Sequence, residues 1–310
     1  MTTLTAQADA LAATVGVYRL DDVTIVRVSG DDRRTWLNGQ LTNDVRATHA
    51  GDAVYALVIH LSGKILTDLF VLDRGDDLAL AVPTSTADAV LEQLGKYIIM
   101  EDVELERVTD LAALSAQGPA AHAAIELAAI PSAQAFPCDR LGAGGYDVLV
   151  PQADVEAAFL ALCGAAEALG GSAVDAEARS LAATRSGRPR FGIDFGDRQY
   201  PQEAGLRERA LSFGKGCYLG QEIVCTLESQ GQLVRKLVLL DAETAPAPGS
   251  VVTLADGTEV GSVTSSIVDP ATGRALAFAY LKRGAAVVAQ AVRLEDRDAT
   301  VTRVLVTTNV

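Results

Sequence analysis

Val23 to Val28 reads Val-Thr-Ile-Val-Arg-Val, a short apolar run that predicts a strand. Gly30-Asp31-Asp32 stops it, and Asp31 or Asp32 can cap the helix that follows. That helix carries Trp36, Leu37 and Leu41, spaced to bury one face. Val54–His60 and Ile65–Leu72 read as strands joined by Leu-Ser-Gly-Lys. Leu78–Val82 reads as a third, entered through the hairpin turn Asp73-Arg74-Gly75-Asp76.

The chain then echoes itself. Leu78–Leu94 and Tyr146–Leu162 both give a strand, a Val-Pro step, a polar turn and an apolar-periodic helix. Pro83 and Pro151 cannot continue a central ladder, so each ends its strand. Val90, Leu91 and Leu94 share one helical face, as do Val155, Phe159, Leu162 and Leu169. Two similar half-units packed together account for this echo; chance likeness of two ordinary strand–helix units is the competing account. From Gln232 the pattern becomes five short strands (VRKLVLL, SVVTL, EVGSVTSSIV, ALAFAYL and TVTRVLV) separated by Pro, Gly and Asp. Strands at this spacing without helices predict a small antiparallel barrel. The expected division is a first α+β half-unit over 1–110, re-entered near 180–228, a second half-unit over 111–179, and a barrel over 232–310.

Length and composition agree with several packed units. The chain has 310 residues, 49% of them hydrophobic, too many for one ordinary core. No apolar run is long enough for a membrane helix, and the N-terminus lacks the pattern of a secretory signal. The formal net charge of −14 repels nucleic acid and anionic membrane, so neither is expected as a partner. Cys138, Cys163, Cys217 and Cys225 form no CxxC pair, and His49, His60 and His122 are scattered. No metal site is expected, and the compartment is expected to be the reducing cytoplasm.

The chemistry concentrates in Gly214–Val224, Gly-Lys-Gly-Cys-Tyr-Leu-Gly-Gln-Glu-Ile-Val. Its glycines allow sharp turns, and a thiol beside an ammonium group favours the thiolate. Gln221 offers a donor and an acceptor, and ionised Glu222 offers acceptors. A tight turn whose glutamate caps backbone amides is the plainer alternative.

Lys215–Glu222 closely resembles the K-G-C-[FY]-x-G-Q-E signature of YgfZ-type folate-binding proteins, relatives of the glycine cleavage T-protein, the aminomethyltransferase. Leu41-Thr42-Asn43-Asp44-Val45, Gly63-Lys64-Ile65-Leu66-Thr67-Asp68, Gly187–Gly192 and Pro201-Gln202-Glu203-Ala204 resemble further family segments in the expected order. The resemblance implies an α+β, three-part T-protein-like ring with a C-terminal antiparallel β-barrel and tetrahydrofolate in a central channel. It implies that Glu203 holds the pterin, that Asp68 acts near the folate nitrogens, and that Cys217 is a reactive thiol favoured by Lys215. Asn43, Tyr97, Tyr218, Gln221 and Glu222 are the further folate-contact candidates. Each has a plainer reading: Asp68 as an edge charge, Glu203 as a helix-starting carboxylate, Asn43 as a helix-ending residue, Tyr97 as core.

The implied function is a folate-binding protein, a monomer, that supports assembly or repair of iron–sulfur client enzymes. The alternatives are a tetrahydrofolate-dependent one-carbon transferase and a folate-free scaffold or RNA-modification partner. Three positions depart from the family pattern. Ala183, Thr226 and Gln230 stand where arginines are usual. Lost guanidinium groups are expected to weaken the hold on an anion such as the folate glutamyl tail.

Overall fold

The computed structural model describes residues 3–230, 233–295 and 297–306. In chain order the elements are α1 (Leu4–Ala13), β1 (Gly16–Arg19), β2 (Val23–Ser29), α2 (Arg33–Gln40), β3 (Ala53–Ile59), β4 (Ile65–Asp73), β5 (Leu78–Pro83), α3 (Ala87–Gly95) and β6 (Glu104–Val108). There follow β7 (Leu111–Gln117), α4 (Ala121–Ala128), β8 (Gln134–Pro137), β9 (Gly145–Pro151), α5 (Val155–Ala168), β10 (Ser172–Ala173), α6 (Ala176–Ser186), α7 (Arg207–Ala210) and α8 (Gln221–Gln230). The last part holds β11 (Arg235–Ala242), β12 (Val251–Thr253), β13 (Glu259–Asp269), β14 (Arg274–Lys282), β15 (Ala291–Leu294) and β16 (Arg297–Val304).

Two five-stranded sheets stand face to face. One runs β3-β4-β5-β2-β6 and the other β10-β1-β7-β9-β8. Each strand sends alternate side chains to opposite faces. Leu78, Leu80 and Val82 therefore face Trp36, Leu37, Val90 and Leu94 of α2 and α3, while Ala79 and Ala81 face the other sheet. In the second sheet Val15, Val17, Leu114, Val148 and Val150 pack with α4 and α5. Tyr18, Ala113, Phe136 and Leu149 point inward to join Ile25, Phe70 and Leu72 of the first sheet. Both sheets are thus covered on both faces, which is why their strands read as near-continuous apolar runs. The sequence echo is real in three dimensions, since β5 and β9 each end at their proline, step through one short 3-10 turn and enter a helix.

One expected boundary moves. Strand β1, which the sequence reading did not name and whose residues fall within the expected 1–110 half-unit, pairs antiparallel with β7 and parallel with β10. The chain up to Arg19 thus contributes its strand to the second sheet. The barrel closes in the order β11-β14-β13-β12-β15-β16. Its strand β15 is absent from the sequence reading, because four residues with one buried pair carry too little periodicity. Gln232, the expected first barrel residue, lies outside the described residues.

The barrel is tied down by polar contacts. Arg185 of α6 grips Asp269 with Nε and Nη2 at 2.8 and 2.6 Å. The buried carboxylate of Asp194 accepts the hydroxyls of Thr264 and Ser265 at 2.9 and 2.5 Å.

Candidate functional site

Where the two sheets meet α6 and the segment Arg188–Ile193, a cavity of about 360 Å³ opens. Cross-strand register builds its first wall. Leu57 pairs with Asp68 and Tyr55 with Phe70, so Tyr55, Asp68 and Phe70 share the inner face of β3 and β4. The Tyr55 hydroxyl donates to Asp68 Oδ2 at 2.8 Å, and the Tyr55 and Phe70 rings lie 5.1 Å apart. Asp68 is half-buried, its open surface in the cavity it lines. Burial pushes its carboxyl above the usual range, against the opposing pull of the Tyr55 hydroxyl and of Arg140 and Arg209. A carboxyl so placed exchanges its proton nearer neutrality than a surface aspartate does.

The second wall is cationic. Arg140, Arg179, Arg188, Arg190 and Arg209 all line the cavity, in a chain of net charge −14. Arg140 donates through Nε and Nη2 to both oxygens of the fully buried Asp147 and lies 4.8 Å over the Phe70 ring. Arg209 lies 4.3 Å over the Tyr55 ring and donates to the Asp139 carbonyl at 2.7 Å. Arg188 reaches the Asp139 carboxylate at 2.8 Å. Arg190 donates to Ser180 Oγ at 2.6 Å and faces Asp194 at 3.5 Å. Three positions where arginine was expected lack it, yet the wall is cationic. Ala183 does line the cavity, but guanidinium groups reach it from other positions. Thr226 bonds back to the Glu222 carbonyl along α8, and the side chain of Gln230 lies outside the described residues.

The glycine-rich signature sits elsewhere. Among the described residues, Asp68 alone of the sequence candidates lines the cavity. Lys215 is buried and its ammonium turns inward, donating to the carbonyls of Asn38, Leu41 and Asn43 at 2.6, 2.6 and 2.8 Å. It is committed to the end of α2 and not to the neighbouring thiol. Burial pulls its pKa down to about 8. The Tyr218 ring lies 5.0 Å from Lys215 Nζ and packs in the core with Leu57 and Ile59. Cys217 is exposed. Gln221 opens α8, and Glu222 beside it is exposed. Gly220 takes φ +76° with the His60 carbonyl 2.5 Å from where a Cβ would stand, so only glycine fits.

The remaining candidates are positioned by backbone groups. Asn43 donates through Nδ2 to the carbonyls of Tyr55 and Arg209 at 2.9 and 3.0 Å. It thereby holds two residues that line the cavity without lining it itself. Glu203 is buried at the barrel junction, where it accepts from the Tyr200 backbone at 3.2 Å and faces Arg235 Nε at 3.4 Å. The half-buried Tyr97 accepts the indole N–H of Trp36 on its carbonyl at 2.9 Å.

The family model described as the GCVT N-terminal domain matches residues 1–215, and that of the glycine cleavage T-protein C-terminal barrel domain matches 235–309. The chain belongs to the glycine cleavage T-protein family. Similar curated proteins include an aminomethyltransferase of Frankia alni, 27% identical over 91% of this chain and 82% of that protein. A tRNA-modifying protein YgfZ of Yersinia pestis is 28% identical over 74% of this chain and 72% of its own length. The crystal structure of the glycine cleavage system aminomethyltransferase T from Bartonella henselae superposes with a TM-score of 0.83 at 20% identity, covering 97% of this chain and 88% of that one.

In this T-protein family member the two short motifs turn out to be one physical unit. The L-T-N-D segment and the end of α2 form the socket for the signature, since Lys215 bonds the carbonyls of Leu41 and Asn43 and of Asn38, and the Leu219 N–H donates to Gly39 O at 3.1 Å. Sequence reasoning missed the arginine wall. One signal was available: Asp147 stands inside the apolar strand Tyr-Asp-Val-Leu-Val, where a carboxylate requires a buried cation.

Proposed function

We propose that this T-protein family member binds a reduced folate in the cavity between its sheets and supports iron–sulfur enzymes through the exposed Cys217 thiol. The binding half rests on the Asp68–Tyr55 pair set among the Tyr18 and Phe70 rings. A pteridine is a flat ring edged with N–H donors and acceptors. An aromatic cleft with a carboxyl and a phenol at its wall complements such a ring. The cavity also falls within the size range of small-ligand sites. When bound, the folate supplies a one-carbon-carrying nitrogen. Asp68 is the chain's own group for holding or moving a proton beside it. The cysteine half is supported by the signature's likeness to YgfZ-type proteins and by the exposure of Cys217.

Calorimetric titration with 5-formyltetrahydrofolate tests the first half. Binding is expected, and Asp68→Asn is expected to weaken it about tenfold or more, the loss of one charge-assisted bond. No heat at roughly millimolar ligand, where only about 4 kcal/mol of affinity is needed, overturns it. Cys217→Ser should leave binding unchanged and abolish support of iron–sulfur enzymes in cells. Full enzyme activity with that variant overturns the second half.

The raised pKa of Asp68 favours a second reading, a tetrahydrofolate-dependent one-carbon transferase, because proton transfer is most efficient when the group titrates near the working pH. In that case turnover survives Cys217→Ser and fails in Asp68→Asn.

A further inference from the structure

Four of the five arginines in the cavity wall are held by protein partners: Arg140 by Asp147, Arg188 and Arg209 by Asp139, and Arg190 by Ser180 and Asp194. Arg179 differs. Its guanidinium lies 4.6 Å over the Tyr18 ring, and its Nε is shielded from solvent with no hydrogen-bond partner. Among the described residues it makes no side-chain hydrogen bond and no ion pair. Asp22, the one other carboxylate in the lining besides Asp68, is likewise in no ion pair among them. A guanidinium presents five N–H donors in a planar fork suited to a carboxylate. Stacking on a ring fixes its plane and leaves those donors free.

Arg179 also occupies a telling place on α6. Ala176, Arg179, Ser180 and Ala183 form the helix face that lines the cavity. The small Ala183 stands one turn further along, about 5.4 Å.

Resting on the folate reading above, we propose that Arg179 receives a carboxylate of the folate glutamyl tail and so supplies the cation that position 183 lacks. It is a specificity residue, reading the charged tail and not the ring. The test compares two probes by calorimetry, 5-formyltetrahydrofolate and its α,γ-diamide, which has the same ring and length but no tail charge. The parent should bind the acid about tenfold or more tighter than the diamide, the worth of one charge-assisted contact. Arg179→Gln should erase that preference and leave the diamide affinity within about twofold.

If the preference survives in Arg179→Gln, or both ligands weaken equally, Arg179 serves the fold alone and the inference is overturned. If the parent binds acid and diamide equally, the inference falls while the folate reading stands. If the parent binds neither, the folate reading itself has failed and takes the inference with it. Because the Arg179 side chain makes no hydrogen bond among the described residues, the glutamine variant removes none of those, and an unchanged circular dichroism spectrum confirms its fold.

Discussion

Replacing Lys215 by methionine tests the claim that the signature lysine is a clamp and not an activator of its neighbour. The Asn38 carbonyl would ordinarily accept the N–H of Thr42 one turn on, but that N–H donates to Leu57 O at 3.1 Å. Lys215 Nζ is the substitute donor, and it serves the Leu41 and Asn43 carbonyls as well. Hydrogen bonds to a charged group contribute about 1.5–3 kcal/mol each, and the buried ammonium costs several kcal/mol in lost hydration. Methionine removes both effects, and the carbonyls left bare each cost about 1–3 kcal/mol. The net expectation is a loss of about 3 kcal/mol, a large share of an ordinary domain's stability. Urea unfolding followed by Trp36 fluorescence is the assay, because Trp36 sits on α2, the helix that Lys215 closes. Folate affinity should fall too, since Asn43 relays the clamp to Tyr55 and Arg209. A methionine variant within about 0.5 kcal/mol of the parent, the range of an ordinary surface change, refutes the clamp.

Other substitutions probe the rest of the site. Burial raises the Asp68 pKa in the folded state, so the carboxyl's contribution is present below the ordinary carboxylate range and is lost as pH climbs through the folded value. Asp68→Asn should therefore gain stability on the parent between acid and neutral pH; a pH-independent difference in unfolding free energy contradicts this. Arg140→Gln strips the buried Asp147 of its bidentate partner and should cost about 3–5 kcal/mol in urea unfolding. Gly220→Ala forces a Cβ against the His60 carbonyl at positive φ and should cost about 2 kcal/mol or more. Gly216→Ala meets nothing within 4 Å and should melt close to the parent.

The parts of the fold that were legible in sequence are those set by local rules. Pro83 and Pro151 end their strands, and apolar periodicity places α3 and α5. The pairing of β1 with β7 and β10 was not legible, because four residues carry no mark of which sheet they will join. In the site, Asp68 was named through the Gly63–Asp68 segment that resembles the family's. The arginines were not, since they come from positions 140, 179, 188, 190 and 209 and only the fold gathers them. Lys215 and Cys217 are two residues apart, yet one points into the protein and the other lies on its surface. Nearness along the chain says little about direction across a glycine-hinged loop.

The Asp194 carboxylate carries a consequence for how this chain can be cut or recombined. Its residue follows Phe191 and Ile193 of the cavity lining, and its Oδ1 accepts the hydroxyls of both Thr264 and Ser265 on β13. A fragment ending ahead of the barrel would keep both sheets but lose the anchor for one side of the cavity. A chimera carrying a foreign barrel without hydroxyls at those two places would inherit the same slack. The C-terminal module therefore helps to shape the cavity, although among the described residues it supplies no side chain to the lining.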